Sequence, residues 1–161
     1  KTATSDASAI TAINLTYAKG PLAVQFGYQV EDIANTVALP NDEKFTRLGA
    51  SYDFGVAKLL VNYGKVTNVG NANGRDATDY QFGVDFPVSS ALTLSGSYAK
   101  SDDDNSAGVY QQSRKGWGIA AAYTLSKRTF LYGGYNSNSF SQQGASDSKL
   151  DILAVGVQHK F

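Results

Sequence analysis

Cysteine and methionine are absent from the 161 residues, and proline occurs only 3 times. Without cysteine there is no disulfide framework. The 14 basic and 14 acidic residues cancel, so there is no basic excess of the kind a dedicated nucleic-acid binder uses to displace counterions. No run of about 18 apolar residues occurs, which excludes a membrane-spanning helix. It does not exclude membrane-spanning strands, which need only about 10 alternating residues each. The length fits one domain and would suffice to bury a sizeable core in water. The chain opens on Lys1 with neither an initiator Met nor a signal-peptide pattern. The expectation is that a segment is removed ahead of Lys1 or that the chain is part of a longer one.

What is present is alternation. Aromatic and β-branched residues recur every second position in nine segments, roughly 9–19, 21–32, 43–54, 57–67, 78–87, 91–100, 115–125, 128–138 and 148–161. Clusters of Gly, Asn, Asp and Ser bound them, and no stretch keeps a helical period. The connections come in two alternating sizes. Short ones are Ala18-Lys-Gly-Pro21, Asp53-Phe-Gly-Val56, Pro87-Val-Ser-Ser90 and Leu125-Ser-Lys-Arg128. Long polar ones run about 33–42, 68–77, 101–114 and 139–147. A meander with short turns at one end and long loops at the other is the layout of a transmembrane antiparallel β-barrel.

The faces divide cleanly in most segments. The third sets Thr46, Leu48, Ala50, Tyr52 and Phe54 against Phe45, Arg47, Gly49, Ser51 and Asp53. The fifth sets Tyr80, Phe82, Val84 and Phe86 against Asp79, Gln81, Gly83 and Asp85. The last, Asp151-Ile-Leu-Ala-Val-Gly-Val-Gln-His-Lys-Phe161, sets Leu153, Val155, Val157, His159 and Phe161 against Ala154, Gly156, Gln158 and Lys160. Leu60 and Phe130 fall on the polar side. The polar face carries Glu31, Arg47, Asn62, Asp79, Gln81 and Asp85. A packed core does not tolerate that density of unpaired polar groups, whereas a water-filled lumen does. These residues and Lys160 are the expected pore lining.

Aromatics stand at the ends of the apolar faces. Tyr52, Phe54, Phe86, Tyr123 and Phe161 lie near the short turns; Tyr80, Tyr98 and Trp117 lie toward the long loops. Two such bands read as the interfacial girdles of a barrel, where an apolar ring sits in lipid and its OH or NH reaches water.

The stretch Ala121-Ala-Tyr-Thr-Leu-Ser-Lys-Arg-Thr-Phe-Leu-Tyr132, with the closing Val155-Gly-Val-Gln-His-Lys-Phe161, resembles the general porins of Gram-negative bacteria, the neisserial and β-proteobacterial branch above all. The rest matches in style. The resemblance implies an outer-membrane, homotrimeric, sixteen-stranded barrel that passes ions and small hydrophilic solutes, with no cofactor. It implies contact with lipid and lipopolysaccharide, and a terminal Phe161 read by the barrel-insertion machinery. A complete porin is about twice this length. Nine strands would then be the eighth through sixteenth, with residues 1–8 in an external loop or tail. The constriction loop would lie upstream of Lys1. An open sheet edge is not viable in lipid, so an N-terminal partner half is expected.

No catalytic constellation is legible. His159 is the only histidine, and it lacks a nucleophile and an orienting acid at a recognisable spacing. Asp102-Asp103-Asp104, placed in the 101–114 loop, offers oxygen ligands for a hard cation but matches no calcium loop. Arg47 with Glu31 and Asp79 is the candidate for pore electrostatics. Lys58, Arg128 and Lys160 are expected at the periplasmic mouth, and Arg114 and Lys115 at the outer rim facing lipid phosphates or solvent. The alternative reading is a complete eight-stranded barrel serving as an anchor or adhesin, with the first segment outside it. An outer-membrane enzyme lacks the residues. A soluble sugar-binding sandwich conflicts with the sorted loops.

Overall fold

The computed structural model describes residues 9–32, 41–105 and 107–161. The segment 1–8, expected as an external loop or tail, lies outside the described residues, as does most of the first long connection. The described chain is one antiparallel sheet in which every strand pairs with its sequence neighbours. The strands are β1 (Ala9–Lys19), β2 (Leu22–Asp32), β3 (Glu43–Asp53), β4 (Lys58–Thr67), β5 (Asp76–Pro87), β6 (Leu92–Asp104), β7 (Tyr110–Ser126), β8 (Thr129–Gln142) and β9 (Ser148–His159). β1 pairs with β2 through an unbroken register from Ala9↔Asp32 to Lys19↔Leu22. It is therefore an integral strand, which removes the eight-stranded alternative with its first segment outside. β1 and β9 form the two ends of the sheet.

Two connections are much shorter than the sequence suggests. β6 continues through Asp104, β7 begins at Tyr110 and β8 reaches Gln142, so the expected 101–114 and 139–147 loops shrink to 105–109 and 143–147. Apart from Tyr110 and Phe140 the extra rungs are polar on both faces, and the backbone ladder carries them without an alternating apolar pattern. A register shift at Asp103/Asp104 marks where β6 ends its regular pairing. Between β4 and β5 the chain forms a 3-10 turn, Val69–Asn71, entered through Asn68 at φ 59°. Asn68 Nδ2 donates to the Asp42 carbonyl at 3.0 Å and Asn71 Nδ2 to the Asn41 carbonyl at 2.7 Å, which ties this connection to its neighbour.

The sheet has no apolar core. Among the described residues the buried side chains are Asn71, Asp103 and Ser137, all polar. The large apolar residues are exposed along one face: Leu48, Val61, Phe82, Ile119 and Val155 are examples, Val155 at 82%. Apolar surface of this extent cannot remain in water, since each square ångström left wet forgoes about 25 cal/mol. The opposite face is concave. Residues from Asn14 of β1 to Leu150 of β9 border one cavity of about 1050 Å3.

Candidate functional site: the concave polar wall

Alternation decides which side chains reach the cavity, and glycine decides how far they project. Cross-strand rows on the concave face pair a polar side chain with a glycine: Asn14 with Gly27, Asn62 with Gly49, and Asn138 with Gly116. A Cβ built on Gly27 would meet Asn14 Oδ1 at 2.9 Å, and one on Gly49 would meet Asn62 Oδ1 at 2.6 Å. The amides therefore lie flat over glycine rather than across the cavity. Tyr132 lies the same way over Gly156. Glycine is costly in a strand, and its repeated use here keeps the wall thin.

The expected pore-lining residues divide as follows. Arg47, Asn62, Asp79 and Gln81 border the large cavity together. Arg47 Nη1 donates to Asp79 Oδ2 at 2.7 Å. Asp85 borders a second cavity of about 590 Å3 and accepts from Ser95 Oγ at 2.7 Å. Glu31 sits near the far end of β2, where it accepts from Gln29 Nε2 at 2.6 Å, away from both cavities. Lys160 lies just past β9. Its N–H donates to the Arg128 carbonyl at 2.8 Å and its carbonyl accepts from Arg128 Nε at 2.9 Å. Leu60 and Phe130 do fall on the concave side: Leu60 borders the smaller cavity, and Phe130 packs 6.0 Å from Tyr132.

Sequence reasoning named Arg114 but missed its place over Phe140. It was expected at the rim, facing lipid phosphates or solvent with Lys115. β7 starts four residues earlier, at Tyr110, so Arg114 is a strand interior position. It registers with Ser101 and Phe140 and stands over the Phe140 ring, its guanidinium carbon 5.1 Å from the centroid. Counting back in twos from Gly116 would have found it.

Asp102, Asp103 and Asp104 are not a loop cluster. They continue strand β6, where successive side chains point to opposite faces and cannot converge on one cation. Asp102 accepts from Ser113 Oγ at 2.7 Å and pairs with Lys100 at 2.6 Å. Asp103 takes a bidentate grip from Arg75, whose Nε lies 2.9 Å from Oδ1 and whose Nη2 closes on Oδ2. That hydrogen bond holds the Arg75 guanidinium above its ordinary pKa, against the opposing effect of burial.

The convex face carries the aromatics in two levels. Tyr80 lies 6.4 Å from Tyr98, and Trp117 lies 5.5 Å from Tyr135, at the level farther from the short turns, with β6, β7 and β8 continuing beyond it. Tyr52 lies 4.6 Å from Phe54 at the opposite end. Phe86, Tyr123 and Phe161 are exposed at that same end, and the Phe161 ring meets His159 edge-on at 5.0 Å. His159 Nδ1 is 2.8 Å from Thr129 Oγ1 on β8. On β5 and β7 the two levels are six residues apart, Tyr80 to Phe86 and Trp117 to Tyr123. That is roughly 20 Å along a strand at about 3.4 Å per residue.

The profile of the Gram-negative porin family matches residues 1–143. An outer-membrane porin protein of Bordetella pertussis is 28% identical over 187 aligned positions, covering 99% of this chain and 48% of that protein. The anion-selective porin from Comamonas acidovorans superposes with a TM-score of 0.71 at 24% identity, covering 94% of this chain and 49% of that one. The outer-membrane expressed OmpT of Vibrio cholerae superposes with a TM-score of 0.70 at 14% identity, over 94% of this chain and 56% of its own. The chain thus spans about half the length of the relatives it matches. With that match over most of its length, the chain belongs to the Gram-negative porin family, whose place is the bacterial outer membrane.

Proposed function

We propose that this chain forms one part of a passive outer-membrane channel for ions and small hydrophilic solutes. The observation that carries the reading is the inversion of its two faces. The polar face is concave and borders an open cavity, while the apolar face is convex, exposed and crossed by two levels of aromatic rings. In water this sheet would be inside out; in lipid the arrangement satisfies both solvents. Solutes would cross by diffusion, selected by width and biased by the charge of Arg47, Asp79 and Asp85.

The two end strands leave backbone donors and acceptors unpaired, each costing several kcal/mol in hydrocarbon. We therefore infer that further strands close the barrel, and the half-length match to porins supports a sixteen-stranded whole. A homotrimer is the assembly this family resemblance implies. Lipid would cover the convex face. Lys100 and Lys115, directly opposite each other above the Tyr80, Tyr98 and Trp117 level, suit the phosphates of lipopolysaccharide.

The test is the intact mass of the complex purified in detergent, followed by conductance of the same sample in a planar bilayer. A species with strands beyond these nine and large, steady conductance steps supports the reading. A lone, folded 161-residue chain without steady conductance overturns it.

A further inference from the structure

Arg114 borders the large cavity, as Arg47 does, and differs from the other arginines in its partner. Arg47 and Arg75 each close on an aspartate. Arg128 is engaged by the Lys160 carbonyl. Among the described residues Arg114 forms no ion pair; its guanidinium instead stands 5.1 Å over the Phe140 ring. Arg114, Phe140, Ser101 and Asn138 all border the large cavity, near the ends of β7 and β8 that meet the longer connections.

A guanidinium on an aromatic ring spends its face and keeps its edge. The ring quadrupole holds the cation, while the N–H groups remain in the plane, directed at solvent. Stacking also limits the rotamers that a free arginine would explore, so less ordering entropy is lost when an anion docks. The edge matches two oxygens held side by side on one atom, as in a carboxylate or phosphate, and not a spherical halide. A site open to a wet channel binds weakly and releases readily, as conduction requires.

We propose that Arg114 and Phe140 form a docking subsite on the channel wall for solutes bearing a carboxylate or phosphate group. The inference rests on the channel reading above. The Arg114 charge attracts anions in general. Its fork, held by Phe140, favours oxyanions over chloride. Ser101 and Asn138 supply polar neighbours for the rest of the solute.

The experiment is reversal-potential measurement on the assembled channel in potassium chloride, acetate and phosphate. Arg114→Gln is expected to lower anion over potassium permeability roughly twofold to fivefold, the scale of one unit charge acting through water. Arg114→Lys keeps the charge, so chloride over potassium stays near the unmodified value while acetate and phosphate over chloride fall. Phe140→Leu lowers the same oxyanion ratios by a smaller factor. A fall confined to acetate or to phosphate identifies which oxyanion the site takes. Unchanged permeabilities in Arg114→Gln overturn the site, and unchanged oxyanion ratios in Arg114→Lys overturn recognition by the fork. If Arg114→Gln fails to assemble, Arg114→Lys and Phe140→Leu decide the matter by the same ratios. Absence of conductance in the unmodified channel instead overturns the channel reading, and this site with it.

Discussion

Arg47 and Asp79 meet across an intervening strand, Nη1 to Oδ2 at 2.7 Å, over Gly64, which stands in register with both. A Cβ on Gly64 would lie 2.9 Å from Arg47 Nη1 and closer still to the aspartate carboxylate. The pair exists because the strand between them carries no side chain there. It links β3 to β5 along the wall and cancels two opposite charges at one height of the cavity.

The pair should govern selectivity and contribute little to stability. The arginine side chain is 62% exposed, so solvent screens the attraction, and such pairs are worth about 0–1 kcal/mol. Asp79→Asn is expected to free the Arg47 charge and raise anion over cation permeability. Arg47→Gln should free Asp79 and shift permeability the other way. The double variant should return toward the unmodified ratio. Reversal potentials in a salt gradient read all three, and shifts of the same sign in both single variants would refute the coupling.

Gly156→Ala should narrow the channel. The new methyl would meet the Tyr132 ring, which lies flat over Gly156, and the ring can relieve the clash only by lifting into the lumen. Single-channel conductance is expected to fall, with a stability cost of about 1–3 kcal/mol for the overpacking. Tyr132→Ala combined with Gly156→Ala should restore conductance to or above the unmodified value. Conductance that stays low in the double variant would show that the ring is not what narrows the pore.

The faces of the sheet were legible because lipid and water impose opposite demands on neighbouring residues. Tyr80, Phe82, Val84 and Phe86 against Asp79, Gln81, Gly83 and Asp85 is a period-two signal that leaves one assignment. The extent of β6, β7 and β8 was not legible. Past Lys100 and before Trp117 both faces are polar, so alternation carries no contrast even though the ladder continues. Hydrogen bonds and ion pairs replace burial there, as in Lys100–Asp102–Ser113. Alternation grouped Arg47 with Asp79 and Glu31 on one face, but that Arg47 closes on Asp79 was hidden, because 32 residues separate the partners and only the register of three strands brings them together.

The Arg75 grip on Asp103 should protect the connections beside it. Asp103 is one of the few buried side chains, and Arg75 is its cation. Arg75→Ala leaves a buried carboxylate unpaired, which strands and turns near it can relieve only by opening. Faster protease cleavage is expected within 68–75 and 105–109, with barrel stability little changed. Asp103→Asn should open the same segments less, since a neutral amide tolerates burial better. Cleavage at the unmodified rate in Arg75→Ala would show that the pair is incidental.

Two adjacent residues test the sidedness of the wall most sharply. Ile119 is 59% exposed on the convex face, two positions from Trp117 and in register with Tyr135, while Ala120 alternates to the concave face in register with Ser95 and Gly134. Arginine at 119 would lie between the two aromatic levels, where a charge in hydrocarbon costs about 2–4 kcal/mol. Arginine at 120 would reach water. The midpoint of denaturant unfolding in lipid vesicles, followed by fluorescence of Trp117, is therefore expected to drop markedly for Ile119→Arg and to move little for Ala120→Arg. Conductance should respond in the opposite order, with Ala120→Arg shifting permeability toward anions and Ile119→Arg leaving it unchanged in whatever fraction folds. A larger stability loss at 120 than at 119 would mean that the concave face is packed rather than wet, and the channel reading could not stand.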